Sequence, residues 1–387
     1  MTVFFKRSAP FSTYLEGRGI GLRSNTAASR VTPDQALRSS AVWACLRLRA
    51  DLISTTPIDV FRTVGSVQVE VPKPPVLVNP GGPRVNMLEW MYSSQFDLDR
   101  YGNAFGIITE KSPDGLPKRI DLVSPDDVSV VVRDGEISHY MIRGKRYEVD
   151  EIWHERQFTV SGMHVGLSPI AYAAWSIGTY LSAQAFAYEW FSSGAAPTGH
   201  LRNTAVQTVD ADDAEKIKGR FKKSVENRDI FVTGRDWEYT FAQVPANTVM
   251  FLDEMKYGVA DVCRFLGVPA DMIDAESSTG SITYANVGQR NLQLLVINLG
   301  PSYKRREVAL SSMMPDPRFA KMNTDALMRM DPKGRSEKLI AEVAGRLRTP
   351  SEARALENLA PFTDSQLTEF DRLFGVPRPP STNGATP

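Results

Sequence analysis

The feature that most constrains the fold is a pair of long helical segments that bracket a short insert of mixed character. The first segment begins at Ser168, which can cap the helix before a first-turn proline, and it runs to about residue 193. The second covers 248–266 and ends at the Gly-Val-Pro that begins at Gly267. At about 1.5 Å per residue, some 25 helical residues span roughly 37 Å. We therefore expect an antiparallel stalk with a small head on its end.

The head is the insert at 195–245. Its pattern predicts a helix from Asp210 and two short strands, at 229–233 and 237–242, that turn at Gly234. The helix is acidic in its first turn and then basic, with Lys216, Lys218, Arg220, Lys222 and Lys223. A solvated amphipathic helix explains these charges, and so does a surface that meets DNA or an acidic partner. The residues alone do not decide between the two.

The chain before the stalk, residues 31–165, is predicted to be one α+β unit. A capping box at Thr32 and Gln35 starts a helix that is expected to continue to just before Pro57, and Asn86 caps a second helix that runs to about residue 100. Strands are predicted at 58–63, at 67–71 and repeatedly over 103–158, where Asp-Gly turns separate β-branched runs. Residues 1–30 are basic and small, which is typical of a mobile arm.

The chain after the stalk begins with an acidic, hydroxyl-rich stretch at 271–283 that lacks lysine and arginine. Such a stretch is predicted to be an exposed loop. A third long helix follows over 284–313, interrupted near Gly300, and then a strand over 319–330 and short helices at 337–347 and 350–359. Residues 376–387 are predicted to be disordered.

The charge balance narrows the choice of partners. The chain has 45 basic and 45 acidic residues, whereas a protein that grips DNA usually carries a basic surplus. DNA is therefore either no partner or a partner that must slide. The start of the chain lacks a signal-peptide pattern, and no apolar run is long enough to span a membrane, so we expect the protein to be cytoplasmic when it is made. The two cysteines, Cys45 and Cys263, are predicted to be buried free thiols.

Motifs of catalysis are missing from the sequence. The four histidines lack zinc-ligand spacing, and neither a nucleophile elbow nor a phosphate-binding loop is present. We therefore predict no catalytic residue, no metal and no cofactor. Any ATP-driven step would need a second protein.

Four stretches in a fixed order resemble one known family. They are Ser40-Ala-Val-Trp-Ala-Cys-Leu-Arg with Pro57-Ile-Asp-Val-Phe; Tyr101-Gly-Asn-Ala-Phe with Leu122-Val-Ser-Pro-Asp-Asp-Val; Gly166-Leu-Ser-Pro-Ile with Phe191-Ser-Ser-Gly-Ala-Ala-Pro-Thr-Gly; and Phe265-Leu-Gly-Val-Pro with Ser281-Ile-Thr-Tyr-Ala-Asn-Val. From Ser39 to about Pro361 the chain resembles the portal proteins of HK97-like tailed bacteriophages. Each stretch is weak alone, and their order and spacing carry the resemblance.

The resemblance implies a portal-type α+β fold and a ring, usually a dodecamer, at one capsid vertex. It assigns a mixed α/β wing to 31–165 and stem helices to 166–194 and 247–270. A small αβ clip falls at 195–246, a tunnel loop at 271–283, and a long helix with a wing strand at 284–333. Crown helices fall at 334–375, beyond which 376–387 form the disordered tail, as 1–30 form the arm.

The same resemblance places the candidate site residues. The tunnel loop would face DNA in the channel, and its residues are Asp274, Glu276, Ser277, Ser278, Thr279 and Ser281. An acidic loop repels the duplex, so it suits a sleeve through which DNA slides. A solvated surface loop is the alternative. The five basic residues of the insert helix would belong to the clip, which docks partners.

The partners implied are further copies of the chain, the terminase large subunit, the major capsid or scaffold protein, a head–tail adaptor, and double-stranded DNA held without sequence preference. No membrane partner is expected, and the location is the virion. Two alternatives stay open at this point: an enzyme with an unrecognised active site, and an adaptor that binds partners without forming a channel.

Overall fold

The computed structural model describes residues 3–6, 31–192, 199–203, 210–226, 237–241, 248–273, 284–324, 332–357 and 359–374. The chain divides into two compact units, Met1–Met322 and Asn323–Pro387. The first unit contains both helices and antiparallel sheets, whereas the described part of the second unit is helical.

One apolar core joins several of the nine α-helices described in the first unit. They are α1 (Pro33–Ala36), α2 (Ser40–Thr55), α3 (Met87–Tyr101), α4 (Pro169–Tyr172), α5 (Ala174–Ser192), α6 (Ala211–Glu226), α7 (Thr248–Leu266), α8 (Tyr284–Gln293) and α9 (Gly300–Ser311). The core joins Val42 and Leu46 of α2 to Ile177 of α5 and to Val262 and Leu266 of α7, all of them buried. The N-terminal part of α5 and the C-terminal part of α7, the two stalk helices, are therefore anchored in the same core as α2.

The strands of the first unit form four antiparallel sheets among the described residues. They are β1 (Val3–Lys6), β2 (Ile58–Val64), β3 (Val67–Glu70), β4 (Asn103–Lys111), β5 (Pro117–Val123), β6 (Val128–Arg133), β7 (Glu136–Ile142), β8 (Lys145–Tyr147), β9 (Ile152–Arg156), β10 (Gly199–Asn203), β11 (Trp237–Phe241) and β12 (Arg318–Met322). Their orders are β1-β6-β7-β8, β12-β2-β3, β5-β4-β9 and β10-β11. Alternating apolar residues of β4, β6, β7 and β9 build a second core between the sheets.

The predicted helix from Thr32 to Pro57 is divided in two. The capping box at Thr32 and Gln35 is present, but it opens only the single turn of α1. Ser39 then caps α2, because its Oγ accepts a hydrogen bond from the Val42 amide at 3.5 Å. A second N-cap signal so close to the first ends one helix and starts another.

The predicted stalk helices are confirmed, with one break. Ser168 Oγ accepts from the Ala171 amide at 3.1 Å and starts α4, and Ala173 separates α4 from α5. The second stalk helix, α7, has the predicted bounds and ends before Gly267, whose φ of +65° favours glycine. The third long helix is interrupted as predicted. A π-helical segment, Leu294–Leu299, precedes Pro301, which has no amide hydrogen to donate within the helix.

Several strand predictions change. The predicted strand at 319–330 begins at Arg318 and ends at Met322, and it pairs with β2. β11 pairs with β10, and the predicted strand at 229–233 lies outside the described residues. Four residues of the predicted mobile arm form β1, which pairs with β6, because an exposed strand edge offers unpaired backbone groups to a β-prone segment.

The described part of the second unit is three helices, α10 (Pro332–Ala344), α11 (Pro350–Leu356) and α12 (Asp364–Phe374). The first two correspond to the predicted short helices. Thr349 starts α11 with a full capping box to Glu352.

Candidate functional site

The stalk is the candidate functional element of the first unit. Ser176 Oγ on α5 donates a hydrogen bond to the Asp261 carboxylate on α7. Further along α5, Tyr180 faces Gly258, where an added Cβ would lie 3.2 Å from the ring. Residues later in α5 contact residues earlier in α7, so the two helices are antiparallel as predicted. The missing side chain at Gly258 lets the helices approach closely at this level.

The base of the stalk is held by α2. Cys45 of α2 and Cys263 of α7 are buried free thiols whose sulfurs lie 3.9 Å apart. The hydrogen-bonding contact with Cys263, together with burial, raises the pKa of Cys45, so this thiol stays protonated and acts as an apolar packing group. The prediction of buried free thiols is confirmed.

A glycine-lined junction connects the stalk to the sheets, and it brings together two of the motifs that were separate in sequence. The Gly166 amide donates to Asn103 Oδ1 at 2.7 Å, and Asn103 Nδ2 donates to the Gly166 carbonyl at 3.0 Å. Ser168 Oγ, the cap of α4, donates to the Arg100 carbonyl at the end of α3. The start of the stalk is therefore tied to the end of α3 and the start of β4 by reciprocal hydrogen bonds.

Close backbone contact makes this junction dependent on glycine. A Cβ at Gly166 would lie 2.0 Å from the Gly102 carbonyl oxygen, and one at Gly102 would lie 2.1 Å from the Leu167 carbonyl oxygen. Gly102 also has a φ of +72°, the left-handed conformation that ends α3. These two glycines therefore set the direction in which the stalk leaves the sheets.

Two buried arginines lock α9 against α2 and α3. Arg49 of α2 forms a bidentate pair with Asp99 at 3.0 Å for each bond, and its Nη2 also donates to Ser302 of α9 at 3.0 Å. Gln157 Nε2 supplies a further hydrogen bond to Asp99 at 3.1 Å. Buried charges are tolerated when they are paired and hydrogen-bonded, as this pair is.

The second arginine, Arg306 of α9, is only 1% exposed. Its Nη1 donates to Glu155 of β9 at 2.7 Å, its Nε to Gln95 at 3.1 Å, and its Nη2 to Ser94 at 2.8 Å. Burial raises the pKa of Glu155, and the adjacent Arg306 guanidinium opposes that rise. Sequence reasoning did not identify these pairs, because arginines in predicted helices are usually exposed.

An open groove of about 670 Å³ lies between β9 and α9. His154 lies in its wall with both ring nitrogens engaged, by Tyr140 Oη and by Asn103 Oδ1, at 3.1 Å each. Burial lowers the pKa of His154 to about 3, so the ring is neutral. Glu155, the other buried titratable group in the wall, is held by Arg306. Neither group is available as a general base, and within the described ranges no cluster of histidine, cysteine and carboxylate side chains could hold a metal.

The predicted docking residues lie on α6. Its described side chains Lys216, Lys218, Arg220 and Lys223 are exposed, and Lys222 belongs to the same helix. Lys216 pairs with Asp213 at 3.2 Å and Lys218 with Glu215 at 3.6 Å, both one turn apart on the exposed helix. Such exposed pairs contribute little to stability. The acidic first turn and the basic last turn also suit the helix dipole.

The predicted tunnel-loop residues Asp274, Glu276, Ser277, Ser278, Thr279 and Ser281 lie outside the described residues. The structure does describe both flanks of this stretch. Asp271, in the 3₁₀ turn Ala270–Ile273, forms an ion pair with Arg290 of α8, and its side chain is largely buried. The ion pair joins the start of the stretch to α8, which follows it in the chain.

No helix within the described ranges is long and apolar enough to cross a membrane.

Comparisons with known proteins point to the same family over most of the chain. The family model described as "Phage portal protein" matches residues 40–358. The probable portal protein of Streptomyces phage phiC31 is 26% identical over 365 residues, which is 86% of this chain and 77% of the relative. The portal protein of Enterobacteria phage HK97 is 25% identical over 382 residues, covering 92% of this chain and 88% of the relative.

Solved structures show the same fold. An HK97 family phage portal protein from Corynebacterium diphtheriae has a TM-score of 0.59 at 18% identity, covering 80% of this chain and all of that one. A chain in the neck of a native gene transfer agent particle, computed with C12 symmetry, has a TM-score of 0.59 at 16% identity and covers 88% of this chain and 95% of that one. The corresponding neck of the empty particle, computed with C6 symmetry, gives a TM-score of 0.61 at 17% identity, with 88% and 95% covered.

Proposed function

Because this chain belongs to the phage portal protein family, we propose that it forms the ring at one capsid vertex through which double-stranded DNA is packaged and ejected. The observation that carries the proposal is the antiparallel stalk, whose base is locked into the first unit while its outer surface stays open. Tyr188 of α5 is 76% exposed, and Trp175 and Tyr257 are also exposed. Aromatic residues are enriched in protein interfaces, so these side chains suit contacts between neighbouring copies.

The parts of the ring follow from this proposal. The wing is 31–165, the stem helices are 166–194 and 247–270, the clip is 195–246, and the tunnel loop is 271–283. The long helix and wing strand cover 284–333, and the crown covers 334–375. A dodecamer agrees with the C12 symmetry of a structurally similar neck. The buried Arg49 and Arg306 pairs support a wing that stays rigid while DNA passes.

Docking is proposed at the clip. The basic half of α6 would present Lys216, Lys218, Arg220, Lys222 and Lys223 to an acidic surface of the terminase large subunit and later of a head–tail adaptor. The exposure of the described side chains supports this role. The wing would meet the major capsid or scaffold protein. The family is structural and not enzymatic, so the motor's ATP hydrolysis would come from the terminase.

The ring is tested by negative-stain microscopy and mass photometry of the purified full-length protein. We expect closed rings with a central hole wide enough for a B-form duplex. A protein that remains monomeric at every concentration, with or without a hydrolytic activity, would contradict the proposal. A globular assembly without a hole would favour the adaptor alternative.

The channel loop is tested by reversing its charge. In the double variant Asp274→Lys and Glu276→Lys, each copy would present two cations to passing phosphates, and friction against DNA should rise with every subunit of the ring. We expect rings to assemble as in the unmodified protein, while the DNA packaged per particle falls by about tenfold or more, with a strong dependence on salt. The measurement is nuclease-protected DNA per assembled particle.

A matched control places the same charge change on exposed wing turns, as Asp114→Lys and Glu136→Lys. This control should package normally. If the loop variant also packages and retains DNA normally, the loop does not face the channel.

A further inference from the structure

The second unit has many large apolar side chains, but its described residues bury none of them. Among its described residues none is buried, although they include large apolar side chains on all three helices and between them. The exposed ones are Ile340, Leu347, Leu359, Leu367, Phe370, Leu373 and Phe374, with Leu347 at 79% and Phe374 at 77% exposure. A unit of this kind has no described core of its own.

Its size makes this imbalance unfavourable. Asn323–Pro387 is a short unit. At this length even a well-formed hydrophobic core rarely stabilises a unit on its own. Most helical stability in proteins comes from packing an amphipathic face, and isolated helices this short are marginal in water. The faces of α10 and α12 therefore need a surface outside the unit.

The apolar face of α12 is well defined. Leu367, Phe370, Leu373 and Phe374 fall within about 120° of the helix circumference, at 3.6 residues per turn. Asp364 and Asp371 flank one side of this face, and Glu369 flanks the other. Phe362 packs against the face from within the unit, its ring centroid 5.2 Å from that of Phe370. The face is thus apolar with an acidic border, and its own unit leaves it largely open.

The surface around α10 has the complementary character. Ile340 and Leu347 are exposed there, and the segment 332–348 has five basic residues against two acidic ones. The basic residues are Lys333, Arg335, Lys338, Arg346 and Arg348. Arg335 and Arg348 are paired within the unit, with Glu357 at 2.6 Å and Glu342 at 2.8 Å, whereas Arg346 is exposed beside Leu347. The segment 332–348 therefore combines exposed apolar side chains with a basic surplus, on the same unit as the apolar face with an acidic border.

We propose that α12 of one copy packs its apolar face on the α10 surface of the next copy, so that the second unit acquires its core only when copies assemble side by side. Two complementary faces on one chain are the requirement of a head-to-tail interface, in which every copy both donates and accepts, and such an interface can close into a ring. This inference rests on the proposed ring. It names the two surfaces that meet, and it makes the stability of the second unit depend on assembly.

Hydrogen exchange on the full-length protein tests the coupling. Rings and monomers are separated by size, and amide exchange is compared over 332–374 and over α2 of the first unit. We expect α10 and α12 to exchange at least about tenfold more slowly in rings than in monomers, with α2 protected in both. Rings in which 364–374 exchange as fast as in monomers would overturn the inference while leaving the proposed ring intact. A protein that forms no ring would instead contradict the proposed function.

Charge reversal tests the partner surface. The variant Glu369→Lys with Asp371→Lys should lose the slow exchange of α12 in rings, because like charges then meet across the interface. Adding Lys338→Glu and Arg346→Glu to the same chain should restore it, since every interface again pairs opposite charges. As a control, Arg372→Ser changes the opposite side of α12 and should keep the slow exchange. Failure of the second pair to restore protection would rule out the α10 surface as the partner.

Discussion

Replacing Gly166 with alanine is expected to prevent the first unit from folding to its native structure. The added Cβ would lie 2.0 Å from the Gly102 carbonyl oxygen and 2.3 Å from the Gln157 carbonyl oxygen. Both neighbours are backbone atoms within the hydrogen-bonded junction, so no side chain can rotate away to make room. We expect a destabilisation above about 4 kcal/mol, which places the variant among the most damaging single substitutions. Yield of folded protein and chemical denaturation measure the effect.

The same substitution elsewhere in the chain provides the control. An added Cβ at Gly219, in the middle of the exposed helix α6, meets no atom within 4 Å. Gly219→Ala should therefore be neutral or stabilise the helix, by up to about 1 kcal/mol. If Gly166→Ala unfolds at the same denaturant concentration as Gly219→Ala, the junction is not as tightly packed as described.

Arg306→Met is expected to be the second most damaging change. It removes the cation that Glu155 contacts at 2.7 Å and leaves Gln95 and Ser94 without their donor. Breaking a buried pair by removing one partner typically costs about 3–5 kcal/mol, because the remaining charge stays buried. The free energy of unfolding from denaturant titration measures the loss. Lys304→Met changes the exposed cation two residues earlier on α9, paired with Glu307 at 2.9 Å, and should cost less than about 0.5 kcal/mol.

The pH dependence of Arg306→Met identifies the cause of this loss. Without the Arg306 guanidinium, burial is opposed only by the weaker effect of Arg305, so the pKa of Glu155 rises further above the unfolded value. The folded state then binds a proton that the unfolded state has released, so stability is full below the unfolded pKa and falls as the pH rises through the folded pKa. The deficit of Arg306→Met against the unmodified protein should therefore grow between pH 5 and pH 8. In the double variant Arg306→Met with Glu155→Gln this growth should disappear, and a persisting growth would mean that another group is responsible.

These two substitutions test different properties of the wing. Gly166 sets the direction in which the stalk leaves the sheets, and Arg306 holds α9 against α3 and β9. The proposed ring would need both, since its neighbouring copies would contact one another through surfaces that these residues position. Milder substitutions at either site should therefore reduce the number of closed rings before they reduce solubility.

The sequence by itself determined those parts of the molecule that depend on local signals. The bounds of α7, the caps at Thr32, Ser168 and Asn86, and the interruption before Pro301 follow from residues within one or two helical turns. The order of the motifs also predicted the family. These signals are readable because a capping hydroxyl, a proline without an amide hydrogen and a glycine with positive φ act on their own neighbours.

Only the tertiary structure decided which distant residues meet. Gly166 and Asn103 interlock across 63 residues, and Arg306 reaches Glu155 across 151. Asp271 is paired with Arg290 of α8. The pairing of β11 with β10 joins segments on either side of the insert. In each case the energy depends on a partner whose position is set by the packing of other elements, so no pattern of spacing along the chain could contain it.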